Sequence, residues 1–308
     1  MGLLRKHNPM QHISYGNDFP NIIFYIIGRD NPIAGGWSLI NTVMMHLAYA
    51  YDHGYVPIVD MQNYRNQYTR QEELGIVNFW EKYFYQPAGF SLEDIKKAKN
   101  VIINSLRLCP DPKYNTSDGS NVWEDKEKLA MFRKVFNKYV RFNDYTQSFL
   151  DLQVKRVLTD KHNAIGVLCR GTDFLINKPT GHEIQPDPQV VLNDVKEEFS
   201  KGSYDAVFLA TEDLDILNMF KEEFKDKLLY IDQVRISKKD MRGDKWLAAE
   251  LKDNKEYQSE DVFLNYFSAT YVLTKCKCLF AGRNNGSKGV LYMPSCYDFV
   301  KIYNLGQY

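Results

Sequence analysis

The chain has 308 residues, 44% of them hydrophobic and 25% charged, which is the profile of a soluble globular protein with a substantial core. Lys+Arg and Asp+Glu number 39 each, so no global field favours nucleic acid or an anionic membrane, and any anion site has to be local. No apolar run approaches the ~20 residues that span a bilayer. The opening Met1–Asn8 has no apolar signal-peptide core, and Lys6 breaks the myristoylation pattern after Gly2. Five cysteines without a disulfide-scaffold spacing predict a reduced, cytoplasmic chain, in which the sequons at Asn115 and Asn285 have no meaning. Cys276 and Cys278 read as packing residues on one face of a strand, not as a metal pair.

The first predicted element is a strand, Asn21–Gly28, apolar on both faces as in a parallel sheet. A glycine-rich turn containing Gly35 and Gly36 leads to a helix over 38–53, with Leu39, Ile40, Val43, Met44, Leu47, Ala48 and Tyr51 on one stripe. Gly54 ends that helix, and Tyr55–Asp60 is the next strand, completing a β-α-β unit. Aromatic-rich helical segments are expected around Phe79–Phe84 and over Leu92–Ala98, then amphipathic helices over 128–139 and 146–158.

The second half repeats this logic. Strand Ala164–Cys169 is followed by a long polar loop and a helix over 188–199. Strand Ala206–Ala210, a helix over 213–224 and strand Leu228–Ile231 come next. The charged stretch 235–261 reads as a lid-like loop. A helix over 261–274 and strand Cys278–Ala281 then precede the turn Gly282–Ser287. Alternating strands and helices predict an α/β protein with two Rossmann-like domains facing a cleft. The expected division is 1–158 and 159–308.

Loops that follow parallel strands gather at the rim where ligands bind. Four do so here, at Gly35–Ser38, Arg170–Phe174, Thr211–Asp213 and Asn284–Ser287. Arg170 offers the planar fork that suits a diphosphate, beside Thr172 and Asp173. A strand-edge pairing of Arg170 with Asp173 explains the same residues equally well. Asn285-Gly286-Ser287 can present backbone amides to a phosphate, with Ser287 as a helix cap. Asp213-Leu214-Asp215 reads as N-terminal dipole complementarity in preference to a D-x-D metal site. The loop from Lys178 to Pro186 concentrates Lys, His and Gln next to the arginine strand, which suits a substrate-facing role. A complete phosphate-binding or dinucleotide glycine motif is absent.

In their order and strand-end placement, Gly35-Gly36-Trp37-Ser38, the arginine strand, Leu209-Ala210-Thr211-Glu212-Asp213 and Gly282–Ser287 resemble the GDP-fucose-dependent fucosyltransferases, most nearly the α1,6 type. The resemblance implies a GT-B fold and inverting transfer of fucose from GDP-fucose to a glycan hydroxyl, with no required metal or other cofactor. It implies the acceptor on the N-terminal side and the donor on the C-terminal side. The implied catalytic residues are Arg170, Asp173 and His182, the last two as alternative bases. The implied donor-binding residues are Gly35, Gly36, Arg170, Thr211, Asp213, Asn285, Gly286 and Ser287. Four departures stand out: Leu168 where the family has His, Gly171 where it has a second Arg, Glu212 inside the second motif, and Asn285 and Ser287 where the third motif has Ser and Gln. They leave open a glycosyltransferase using another nucleotide-sugar, or a non-catalytic binding protein of the same fold.

Overall fold

The structure, a computed structural model, describes residues 10–116, 122–159, 163–241 and 261–308. These fall into two compact units. The N-terminal one takes residues within Met1–Ala34, Leu39–Ser120 and Lys134–Asn143; the C-terminal one takes those within Gly35–Ser38, Asn121–Arg133 and Asp144–Tyr308.

The N-terminal unit is built on a four-stranded sheet. Its strands are β1 (Met10–Ile13), β2 (Asp18–Gly28), β3 (Val56–Asp60) and β4 (Ala98–Asn104), in the order β1-β4-β2-β3. β2, β3 and β4 run parallel and β1 is antiparallel at one edge. Helix α1 (Gly36–Asp52) is buried on every side from Leu39 to Ala50, not only along the predicted stripe, and so takes Asn41, Thr42 and His46 into the interior. Those polar groups are tolerable there only with partners. His46 Nδ1 meets the Tyr25 hydroxyl at 2.9 Å and its Nε2 meets the Leu106 carbonyl at 3.0 Å. The Asn104 amide donates to the same Tyr25 hydroxyl at 2.7 Å. On the opposite face of the sheet, Phe19, Phe24 and Phe90 meet edge to face at 5.1–5.5 Å over Ile58, Ile95 and Val101.

The open edge of β3 is covered by side chains. The Gln86 carboxamide accepts from Val59 N at 3.0 Å and donates to Val59 O at 2.9 Å, as a neighbouring strand residue would. Asn78 donates to Val59 O as well, at 2.8 Å, and accepts from Met61 N at 3.1 Å.

Two expectations for this unit fail. The Phe79–Phe84 segment contains only a single 3₁₀ turn, Trp80–Lys82. The segment Leu92–Ala98 is a one-turn helix α2 (Leu92–Ile95), capped by Ser91, and Ala98 already opens β4. Burial of Ala98, Val101 and Ile102 against β2 outweighs the local helical reading there.

The C-terminal unit holds a five-stranded, wholly parallel sheet. Its strands are β5 (Ala164–Leu168), β6 (Ala206–Ala210), β7 (Leu228–Leu229), β8 (Cys278–Gly282) and β9 (Phe299–Tyr303), in the order β7-β6-β5-β8-β9. Counted within the unit this is 3-2-1-4-5, the doubly wound order whose direction reverses between the first and fourth strands, here β5 and β8. All residues of β5, β6 and β8 are buried, as their continuous apolar runs predict. Helices α3 (Lys126–Tyr139) and α4 (Asp144–Val157) precede β5, and the helices between the strands of the sheet are α5 (Thr172–Asn177), α6 (Pro188–Ser200), α7 (Leu214–Phe224), α8 (Val262–Leu273) and α9 (Asn285–Tyr292). α3 gives only its first half to this unit. The core joins Val167, Val195, Leu209, Leu217, Phe220 and Phe280, each contributing roughly 1.5–3 kcal/mol by burial. The loop predicted after β5 contains α5, and β9 follows α9 where no strand was expected.

Gly35 and the first turn of α1 group with this unit because Trp37 anchors there. Its indole stacks on Phe267 at 5.0 Å and donates to Thr270 Oγ1 at 2.9 Å. Gly289 on α9 is the notch for that ring, since a Cβ at 289 would collide with it.

Candidate functional site

Three of the predicted loops leave the C-terminal edge of one sheet. They are Arg170–Phe174 after β5, Thr211–Asp213 after β6 and Asn284–Ser287 after β8.

Asp213 ties the first two together. It is fully buried and caps α7, its Oδ1 accepting from Asp215 N at 2.8 Å and Ile216 N at 3.1 Å. Its Oδ2 accepts from Thr172 N at 3.0 Å, across to the neighbouring loop. Glu212 reinforces the link, accepting from Gly171 N and from Thr172 Oγ1, each at 3.1 Å. The Asp213 carboxylate is thus engaged inside the protein as a cap and a brace. Asp215 is engaged separately, accepting from Ser237 Oγ and Lys238 N. Arg235 completes the β6 end by donating to the carbonyls of Thr211, Gln233 and Ile231. Burial lowers its pKa.

The closeness of Asp213 explains Gly171. A Cβ at that position would collide with the Asp213 carboxylate and lie 2.7 Å from Ile216 Cδ1, so no side chain fits. Thr172 then starts α5 at φ 41°, a left-handed conformation that costs a threonine energy and that the two acidic partners hold in place.

Arg170, half-buried, lays its guanidinium over the Phe174 ring at 4.1 Å, and His182 meets the same ring edge-on at 5.6 Å. Phe174 therefore joins the predicted phosphate ligand to one of the two predicted bases. Asp173 lies on the first turn of α5, and its side chain falls outside the described residues. Cys169, just before the arginine, is completely enclosed, and burial pushes its thiol pKa up, which disfavours a reactive thiolate.

At the end of β8 the helix cap is Asn284, not Ser287. Asn284 Oδ1 accepts from Ser287 N at 2.9 Å. The Ser287 hydroxyl is fully buried and fully used: it donates to Asn284 O and accepts from Asn284 N and Trp123 Nε1, at 2.9–3.1 Å. Asn285 and Gly286 occupy the first two helical positions, and a Cβ at Gly286 would sit 2.9 Å from the Tyr266 hydroxyl.

Two further residues belong to this rim. Gln185 is buried, donates to Arg283 O at 2.7 Å and accepts from Asn284 Nδ2 at 3.2 Å, pinning the Lys178–Pro186 loop to the β8 end. Arg283 pairs with Glu124 and lies 5.2 Å from the Trp123 ring. Neither contact was legible from sequence, because Trp123 and Glu124 stand far away in the chain. Most of the stretch proposed as a lid lies outside the described residues.

The rim of the N-terminal sheet carries its own arginine. Arg29, after β2, donates to Thr42 Oγ1 at 3.4 Å beside a recess lined by Ile27, Leu39, Met61 and Asn66. Burial, and secondarily the charge of Arg107, lower the pKa of Arg29.

No protein-family model matches the chain, and no curated protein matches it. Solved structures do. NodZ α1,6-fucosyltransferase co-crystallised with GDP aligns over 89% of this chain and 93% of its own, at TM-score 0.50 and 13% identity. NodZ soaked with GDP-fucose aligns over the same shares at TM-score 0.50 and 14% identity. POFUT1 in complex with GDP-fucose aligns over 94% of this chain and 99% of its own, at TM-score 0.48 and 11% identity. The chain shares the fold of these NodZ structures, a GT-B-like α/β fold built on two Rossmann-like units.

Proposed function

We propose that this chain is a glycosyltransferase that moves fucose from GDP-fucose to a hydroxyl of a glycan, with inversion at the sugar carbon. The observation that carries the reading is the placement of Arg170 and the α9 N-terminus on the two strands where the sheet order reverses. Such a rim favours a diphosphate, and the fold is one whose NodZ examples were prepared with GDP and GDP-fucose.

In this reaction the acceptor oxygen attacks C1 of fucose from the face opposite the diphosphate. The C1–O bond to the β-phosphate breaks, and the acceptor hydroxyl proton passes to a base. Arg170 and the backbone amides of Asn285 and Gly286 stabilise the charge gathering on the departing GDP. The turn at Gly35 and Gly36 closes around the donor from the first turn of α1. Thr211 and Asp213 set the shape of the nucleoside end, Asp213 from within the protein. His182 and Asp173 are the two candidate bases, and His182 is held against Phe174 next to the arginine. The N-terminal unit is the acceptor side. The loss of a second arginine at Gly171 favours, as a second reading, a different nucleotide-sugar.

Calorimetric titration with GDP, GDP-fucose, UDP and ADP in the presence of EDTA tests the reading. Selective binding of GDP and GDP-fucose, weakened roughly tenfold or more in Arg170→Ala, is expected for a lost charge-assisted contact. Preference for UDP or ADP would move the assignment to another donor, and no nucleotide binding at all would remove it.

A further inference from the structure

Resting on the donor-site reading above, we propose that Arg283 is a second guanidinium for the donor diphosphate, working beside Arg170. Three observations converge on it.

The first is position. β5 and β8 are adjacent and parallel, with Leu168 opposite Ala281. Arg170 and Arg283 each lie two residues beyond that pair, so they leave the sheet side by side. They flank the point where strand order reverses, and ligands of doubly wound sheets settle in the crevice at that point. Arg283 also immediately precedes Asn284, the cap of α9, whose terminus is itself anion-seeking.

The second is unspent hydrogen-bonding capacity. Arg283 is 8% exposed, yet of the five N–H donors of a guanidinium only one Nη2 donor meets a described residue, Glu124. Its Nε is enclosed with no hydrogen-bond partner among the described residues. Leaving donors of a buried cation unmet is costly, and an anion with several oxygens relieves that cost. Glu124 is a loose partner by comparison. Its side chain is 54% exposed, and the same Oε1 also accepts from Asn304 at 3.2 Å.

The third is compensation. Gly171 cannot carry a side chain, because Asp213 occupies the space. Position 171 therefore cannot carry a cation, whereas the strand on the other side of β5 does, at Arg283. Trp123 holds the arrangement: it lies under Arg283 at 5.2 Å and under Lys288 at 4.7 Å, and its indole N–H donates to Ser287. In the unliganded protein the Glu124 carboxylate takes the place of a phosphate oxygen, and the diphosphate displaces it.

The test is calorimetry with guanosine, GDP and inorganic pyrophosphate on wild type, Arg283→Ala, Arg283→Lys and Glu124→Gln. Arg283→Ala should weaken GDP and pyrophosphate roughly tenfold or more and leave guanosine unchanged, with Arg283→Lys recovering part of the loss. Glu124→Gln should tighten both phosphate ligands, because the competing carboxylate is gone. Wild-type affinity for pyrophosphate in Arg283→Ala, or an equal loss for guanosine and GDP, would overturn the proposal. If Arg283→Ala does not fold, unchanged pyrophosphate affinity in Glu124→Gln overturns it instead. Wild type binding pyrophosphate in an Arg283-dependent way without preferring GDP retains Arg283 and sinks the guanine donor. Wild type binding neither ligand sinks both.

Discussion

The Asp213 carboxylate holds the backbone amide of Thr172 at 3.0 Å, joining the ends of two neighbouring strands through one oxygen while the other oxygen caps a helix. Both oxygens are committed to backbone, so the loop that carries Arg170 cannot move away without breaking the Thr172 hydrogen bond to a carboxylate that the helix cap holds in place.

Replacing Gly171 with alanine pushes a methyl group into that carboxylate. Overpacking at a rigid brace is expected to cost about 1–3 kcal/mol. Urea unfolding of Gly171→Ala should show that loss. A stability equal to wild type would mean that Asp213 yields easily and is not a brace.

Phe174→Leu removes the ring beneath Arg170 while keeping an apolar side chain in place. A guanidinium over an aromatic face gains ~0.5–2 kcal/mol, so GDP affinity should fall by a few-fold up to about thirtyfold. Unchanged affinity in the folded variant would show that the ring does not aim the guanidinium.

His46 makes stability depend on pH. Burial is the main reason its pKa falls to about 4, from an ordinary 6.5 in the unfolded chain. The unfolded state therefore binds the proton more readily. The stability is fully present above about pH 6.5 and is lost progressively down to about pH 4, by ~3 kcal/mol in all. Urea midpoints at pH 7 and pH 5 should differ more in wild type than in His46→Gln. Equal pH slopes in the two proteins would rule out His46 as the source.

Strands β5, β6 and β8 of the C-terminal sheet were legible because they are buried on both faces, and such strands announce themselves as unbroken apolar runs. β4 was not, because Lys99 and Asn100 interrupt its pattern, and β9 has the mixed exposure of an edge strand. α5 is six residues long and opens on a threonine at φ 41°, so it leaves no periodic trace. The loops of the candidate site could be found from strand ends alone. The inward commitment of Asp213 and Ser287 could not, since it depends on partners brought in by the fold: Thr172 for the one and Trp123 for the other. The pairing of Arg283 with Glu124 was hidden for the same reason.

The Gln86 carboxamide has a bearing on self-association as well as on folding. An exposed edge strand is a template on which another chain can add itself. At Val59 the template is already occupied by a side chain that presents the same donor and acceptor as a peptide but cannot be extended into a further strand. β3 is thereby terminated chemically rather than by charge or proline, and a chain lacking that carboxamide would offer its parallel sheet to its neighbours in concentrated solution.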